Sequence, residues 1–166
     1  DAIAICAASS MAYAAVFLGA LRAGVVVAPL APSSNTAGLW RMVADAQAQL
    51  LFTDQYAADV VVGDNPVKRI ALDGSAVGQS LHTWMEAAGT KPQAVDLGPD
   101  APFNIIYSSG TTGDPKGIVQ SHGMRWGHVR RGASYGYSAN SVTLLSTPLY
   151  SNTTLVAFFP TISFGG

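Results

Sequence analysis

The chain holds 166 residues, with nine Lys and Arg against ten Asp and Glu; a net charge of −1 leaves no basic footprint for nucleic acid. Charged residues make up 11%, where soluble domains carry roughly 25%, while 49% of residues are hydrophobic and mean hydropathy is +0.27, which excludes disorder. Such a chain is either a membrane protein or a piece of a larger soluble protein whose other parts cover it.

The membrane reading fails on the sequence. Its longest apolar run, residues 11–21, falls short of the ~20 residues needed to cross a bilayer, and Arg22 interrupts it. No basic stretch precedes an apolar one, as a secretory signal requires. Cys6 is the single cysteine, so no internal disulfide forms and a reducing, cytoplasmic compartment is expected. The chain is therefore expected to be a fragment, opening on a strand already under way and ending on a turn at residues 164–166.

Ile3 and Ile5, two apart, predict a first strand. Ser9 or Ser10 can cap a helix through Leu21, with Gly24 suited to its end. Residues 25–30 form an apolar, β-branched run typical of a strand covered on both faces. Ser33, Ser34 and Asn35 offer the next cap, after which Leu39, Met42, Val43 and Ala46 recur at helical spacing. Short strands are expected at 50–52 and 68–72, and Leu81, Trp84, Met85 and Ala88 predict a helix behind Ser80. This alternation implies crossover units, hence an α/β fold: a mostly parallel sheet flanked by helices in three layers.

Pro92, Gly98, Pro99 and Pro102 mark residues 89–102 as a connector, dividing a first α/β portion (1–88) from a second (103–166). Beyond it, strands are expected at 103–107 and 117–120, a helix from His122 to about Arg131, a strand at 142–145 and a helix over 152–159.

The most informative stretch is Ser108-Ser109-Gly110-Thr111-Thr112-Gly113-Asp114-Pro115-Lys116-Gly117. Read as a loop between two strands, Ser108 to Lys116 is nine residues, longer than the 2–5 usual in a hairpin. It carries four hydroxyls, three glycines, one lysine and one acid. Glycines let successive N–H groups converge, hydroxyls add donors, and Lys116 adds charge: a set suited to phosphate. It is neither a Walker A loop nor a Gly-x-Gly-x-x-Gly turn.

Residues 107–117 resemble the phosphate-binding loop of the adenylate-forming superfamily, which includes acyl- and aryl-CoA synthetases, luciferases and nonribosomal-peptide adenylation domains. Residues 18–24 leading into 27–30 resemble that family's early helix–strand motif, and Pro148-Leu149-Tyr150-Ser151-Asn152 resembles its later Pro-Leu-aromatic-His segment, with Ser151 standing where many members carry His. The resemblance covers essentially the whole chain and implies a fragment of the large N-terminal domain of an ATP-dependent carboxylic acid–CoA ligase. A carrier-protein adenylation domain is the alternative. ATP, Mg²⁺ and CoA are the implied cofactors; a small carboxylic acid and the rest of the polypeptide are the implied partners.

By the same resemblance, Ser108, Ser109, Gly110, Thr111, Thr112, Gly113, Lys116 and Gly117 hold the nucleotide phosphates. Lys116, Thr111 and Thr112 act in catalysis, Thr111 or Thr112 helps position Mg²⁺, and Tyr150, Ser151 and Asn152 lie near the acyl or pantetheine channel. The family's Tyr-Gly-x-Thr-Glu segment, ribose-binding Asp, hinge and C-terminal Lys are absent, so the isolated 166 residues are expected not to catalyse adenylation.

Three other readings carry less. Gly132-Ala133-Ser134-Tyr135-Gly136 matches a serine-hydrolase nucleophile elbow, but a helix-like segment precedes it and all three histidines (His82, His122, His128) come before Ser134, the reverse of the hydrolase order. His122 and His128 are six apart, off metal-ligand helical spacing. Arg125, Arg130 and Arg131 are read as a solvated basic face rather than a contact for CoA phosphates, and Trp40, Trp84 and Trp126 as core or interface residues.

Overall fold

The computed structural model of the chain describes residues 1–109 and 115–166. Its framework begins with strand β1 (Ala2–Cys6), helix α1 (Met11–Arg22), strand β2 (Val26–Leu30), helix α2 (Thr36–Asp45), strand β3 (Ala48–Thr53) and strand β4 (Lys68–Ala71). A two-residue strand β5 (Gln79–Ser80) and a single-turn helix α3 (Leu81–Trp84) follow. The second half supplies β6 (Pro102–Ser109), β7 (Pro115–Ser121), α4 (His122–Gly132) and α5 (Asn152–Ser163).

The strands make one seven-stranded sheet in the order β5-β4-β3-β1-β2-β6-β7. Every pairing is parallel except β6 with β7. The expected three-layer α/β architecture is thus present. β1 is buried along its whole length. Ile3 and Ile5 face α1, α4 and α5, while Ala4 and Cys6 face α2. Apolar residues on both faces of a central strand are what a parallel sheet under helices demands.

The helix starts follow capping chemistry. Ser10 Oγ accepts the Tyr13 N–H at 3.1 Å and Asn35 Oδ1 accepts the Gly38 N–H at 2.7 Å, each satisfying an otherwise orphaned donor. Gly24, just past α1, takes φ +73°, a left-handed turn that glycine enters without strain. Among the described residues no helix is long and apolar enough to cross a membrane.

The segment read as a connector returns the chain from the β5 edge to β2, where β6 pairs (Val27 opposite Asn104) and extends the same sheet. On the way Val95 lies where a Cβ on Gly24 would stand at 3.1 Å, so the connector passes close beneath the end of α1.

Four expectations need correction. The helix at 81–88 stops after one turn, because Met85 turns extended (φ −65°, ψ 147°) and Met85 and Ala88 are exposed: nothing buries a second turn. No strand forms at 142–145; Val142 is 99% and Leu144 89% exposed, and β-branched residues do not make a strand without a neighbour to pair with. α5 runs past Phe159 to Ser163 with Pro160 inside it. A Cβ on Gly132 would meet Pro160 Cβ at 2.8 Å, so α4 and α5 touch at a point only glycine allows. Of the two places expected for Trp126, core or interface, its 59% exposure excludes the core.

α4 also carries the two histidines that report on pH. Burial holds His122, edge-on to the Phe103 ring at 4.9 Å, below the usual histidine range. Burial, then the charges of Arg125 and Arg131, do the same for His128. A histidine depressed on folding binds its proton more readily in the unfolded chain, so stability falls as pH drops from about 6.5 towards the folded-state values, and levels off below them. The urea midpoint is expected to fall between pH 7 and 5, and a His122→Gln, His128→Gln double variant to flatten that slope.

Candidate functional site

In a parallel α/β sheet, ligands bind in the crevice beyond the carboxyl ends of the strands. β2 and β6 end side by side here, and β7 leaves from the same edge. Between them lies a cleft of about 270 Å³ bordered by Leu30 and Ala31 after β2, Tyr107 and Ser108 on β6, Pro115 on β7, and Tyr150. A second recess of about 330 Å³ lies against Arg41, Met42 and Asp45 of α2 and again Pro115. Both recesses reach Met42 of α2 and Pro115, the first residue of β7.

The hairpin geometry corrects the reading of an over-long loop. The ladder runs to its end, with Tyr107 opposite Gly117, Ser108 opposite Lys116 and Ser109 opposite Pro115. Only residues 110–114 connect the strands, within the usual hairpin length. Both ends of the donor-rich stretch are therefore held by sheet hydrogen bonding, and length gives no support to phosphate binding.

The structure brings some of the sequence-nominated residues together. Ser108 and Tyr150 border one cleft, and Lys116, exposed, sits across the ladder from Ser108. Ser109 ends β6. Gly110, Thr111, Thr112 and Gly113 lie outside the described residues. Ser151 caps α5 without a side-chain hydrogen bond, and Asn152 is exposed on its first turn; neither borders the cleft. Gly117, opposite Tyr107, has no room for a side chain. A Cβ there would stand 3.0 Å from Asp45 Oδ2, 3.0 Å from Ile105 Cγ2 and 3.2 Å from Tyr107 Cε1.

Tyr150 is placed by its neighbours. The Leu149 N–H donates to Ser9 Oγ at 2.9 Å, tying this segment to the loop after β1. Behind it the Tyr13 phenol is fully buried, with no hydrogen-bond partner among the described residues; burial first, then the proximity of Cys6 and Tyr150, push its pKa up. Burial, with Asp54 nearby, pushes the Cys6 thiol up to about 12, so it is no nucleophile at neutral pH.

Sequence reasoning missed Asp45 and misplaced Arg125. Arg125 is 2% exposed, not on a solvated face. Its Nε donates to Asn104 Oδ1 at 2.9 Å, its terminal nitrogens have no partner among the described residues, and burial lowers its pKa to about 10. The signal was present: Arg125, Val129 and Gly132 fall on one helical stripe, all buried. Ser134 sits in a 3₁₀ turn directly after α4, its Oγ donating to Arg131 O at 2.7 Å, which is not a strand-to-helix elbow. Among the described residues no three Asp, Glu, His or Cys side chains gather to hold a metal; Thr111 and Thr112, the expected Mg²⁺ positioners, lie outside them.

The model of the AMP-binding enzyme family matches residues 1–166, the entire chain. The chain belongs to that family. Among its relatives, a nonribosomal peptide synthetase, gloA, of Glarea lozoyensis is 28% identical over 165 residues, covering 99% of this chain and 2% of that protein. An L-proline–[L-prolyl-carrier protein] ligase of Pseudomonas fluorescens is 32% identical over 125 residues, covering 73% of this chain and 24% of the ligase. The crystal structure of VinN superposes with a TM-score of 0.82 at 26% identity, covering 100% of this chain and 44% of VinN. The chain thus spans less than half the length of each of these proteins.

Proposed function

We propose that these residues form the phosphate-gripping part of a ligase that activates a carboxylic acid with ATP and passes the acyl group to a thiol. The observation that carries this reading is the cleft at the ends of β2 and β6, which unites Ser108 and Tyr150 and has Lys116 beside it in register. In the proposed reaction a carboxylate oxygen bonds to the α-phosphorus of ATP, the bond from that phosphorus to the bridging oxygen of the β-phosphate breaks, and pyrophosphate leaves. A thiolate then attacks the acyl carbon, and AMP departs with the former carboxylate oxygen.

The contribution of this chain is electrostatic. The Lys116 ammonium and the Ser108 hydroxyl stand opposite each other on paired strands, so these donors need not reorganise as charge gathers on the leaving pyrophosphate. Tyr150 forms one wall on the acyl side. No step is assigned to Mg²⁺.

Two acceptors fit, and both present a phosphopantetheine thiol. The wording of residues 148–155 favours free CoA. The prolyl-carrier-protein ligase favours a carrier protein, and VinN, solved with 3-methylaspartate and with L-aspartate, favours an amino acid as the carboxylate. The test is to incubate the full-length polypeptide with ATP, magnesium and a panel of amino, fatty and aryl acids, trapping acyl-adenylate with hydroxylamine. One acid is expected to give hydroxamate, and that acid is then offered with CoA or with a phosphopantetheinylated carrier. Absence of hydroxamate with every acid, in a protein that binds ATP, contradicts adenylation.

A further inference from the structure

α2 ends on an acid, with no base in its last turn. Asp45 thus adds negative charge at the negative end of the helix dipole, an unfavourable position that usually calls for a compensating contact. The compensation comes from the hairpin: the Tyr107 hydroxyl lies 2.6 Å from Asp45 Oδ2 and 3.0 Å from the Met42 carbonyl. With one hydrogen to give, it donates chiefly to the carboxylate, the shorter and charge-assisted bond. Burial, then the hydrogen bond to Asp45 and its charge, raise the Tyr107 pKa, so the phenol stays a donor throughout the neutral range.

The latch sits at a defined height on the stem. Tyr107 faces Gly117 across the ladder, one step from Ser108–Lys116 and two from Ser109–Pro115, where segment 110–114 departs. Gly117 makes room for it, since a Cβ there would crowd both Asp45 Oδ2 and Tyr107 Cε1. Asp45 borders one of the two recesses and Tyr107 the other, and both recesses reach Pro115. The Tyr107 hydroxyl therefore ties α2 to the hairpin stem at residues that border both recesses.

We propose that Asp45 is a positioning residue: through the Tyr107 hydroxyl it sets the hairpin stem against α2, and so fixes where Ser108 and Lys116 meet the nucleotide phosphates. The proposal rests on the phosphate-gripping role given above. Misplacing donors by a fraction of a residue's length weakens binding, and Tyr107→Phe does this while keeping the ring that packs against the α2-side core.

The test uses the full-length polypeptide and α,β-methylene-ATP, measured by equilibrium dialysis with magnesium, alongside urea midpoints. Asp45→Ala and Tyr107→Phe are each expected to weaken nucleotide binding by about tenfold. The double variant is expected to be no weaker than the worse single, because both remove one bond. Asp45→Asn, whose amide oxygen still accepts, should recover most of the affinity. Should Asp45→Ala fail to fold, Tyr107→Phe, which deletes one oxygen atom, carries the test. Unchanged affinity in Tyr107→Phe, losses that add in the double variant, or Asp45→Asn as weak as Asp45→Ala would each overturn the latch while leaving the ligase reading intact. An unmodified protein that does not bind the analogue removes both.

Discussion

Replacing Lys116 with alanine in the full-length polypeptide is expected to slow acyl-adenylate formation by about 10²–10³-fold, the cost of deleting one preorganised charge-stabilising group. The residue is exposed on β7, opposite Ser108, so the same substitution should move stability by no more than about 0.5 kcal/mol. That contrast separates chemistry from folding. Lys116→Arg keeps the charge but presents a planar fork in place of a compact ammonium, and only partial activity is expected of it. Pre-steady-state trapping of the adenylate, with a urea titration of each variant, reads both quantities. A Lys116→Ala enzyme adenylating at the unmodified rate would remove this residue from the site.

The largest stability effect is expected at Phe159. Its ring meets Phe17 of α1 at 5.7 Å, Phe103 of β6 at 5.1 Å and Phe158 at 5.4 Å, each in edge-on or tilted geometry. It is 7% exposed. One side chain thus joins the helix after the first strand, the strand leading into the candidate site, and α5. Phe159→Ala forfeits the transfer energy, leaves a cavity and breaks three ring pairs, for an expected loss of about 3–5 kcal/mol. Urea unfolding of the full-length protein measures it. A loss below about 1 kcal/mol would mean that α5 is held by other contacts than this cluster.

Much of the framework was legible because local and global signals agreed. Ser10 and Asn35 cap the helices where their spacing placed them, and the β-branched run after Gly24 is a strand buried on both sides. The failures have a common physical form. Leu81, Trp84, Met85 and Ala88 repeat at helical spacing, and Val142 and Leu144 alternate like a strand, but periodicity describes a face that wants a partner and cannot supply one. Arg125 was misread because charge outweighed its place on the Val129–Gly132 stripe.

At the candidate site the motif was legible and its mechanics were not. The donor-rich composition of 108–117 is plain in the sequence, whereas the ladder that turns nine apparent loop residues into a short connection depends on pairing across strands. Nothing near Gly117 in the sequence signals that Asp45 and Tyr107, 62 positions apart, meet beside it. Contacts at that separation leave no trace in local spacing.

The central claim is that this hairpin grips the phosphates of a nucleotide. Calorimetric titration of the full-length polypeptide with ATP and magnesium measures it directly. Saturable binding with a Kd between about 1 μM and 1 mM, weakened by Lys116→Ala, is the expected result. No heat of binding at millimolar nucleotide from a folded protein would contradict it.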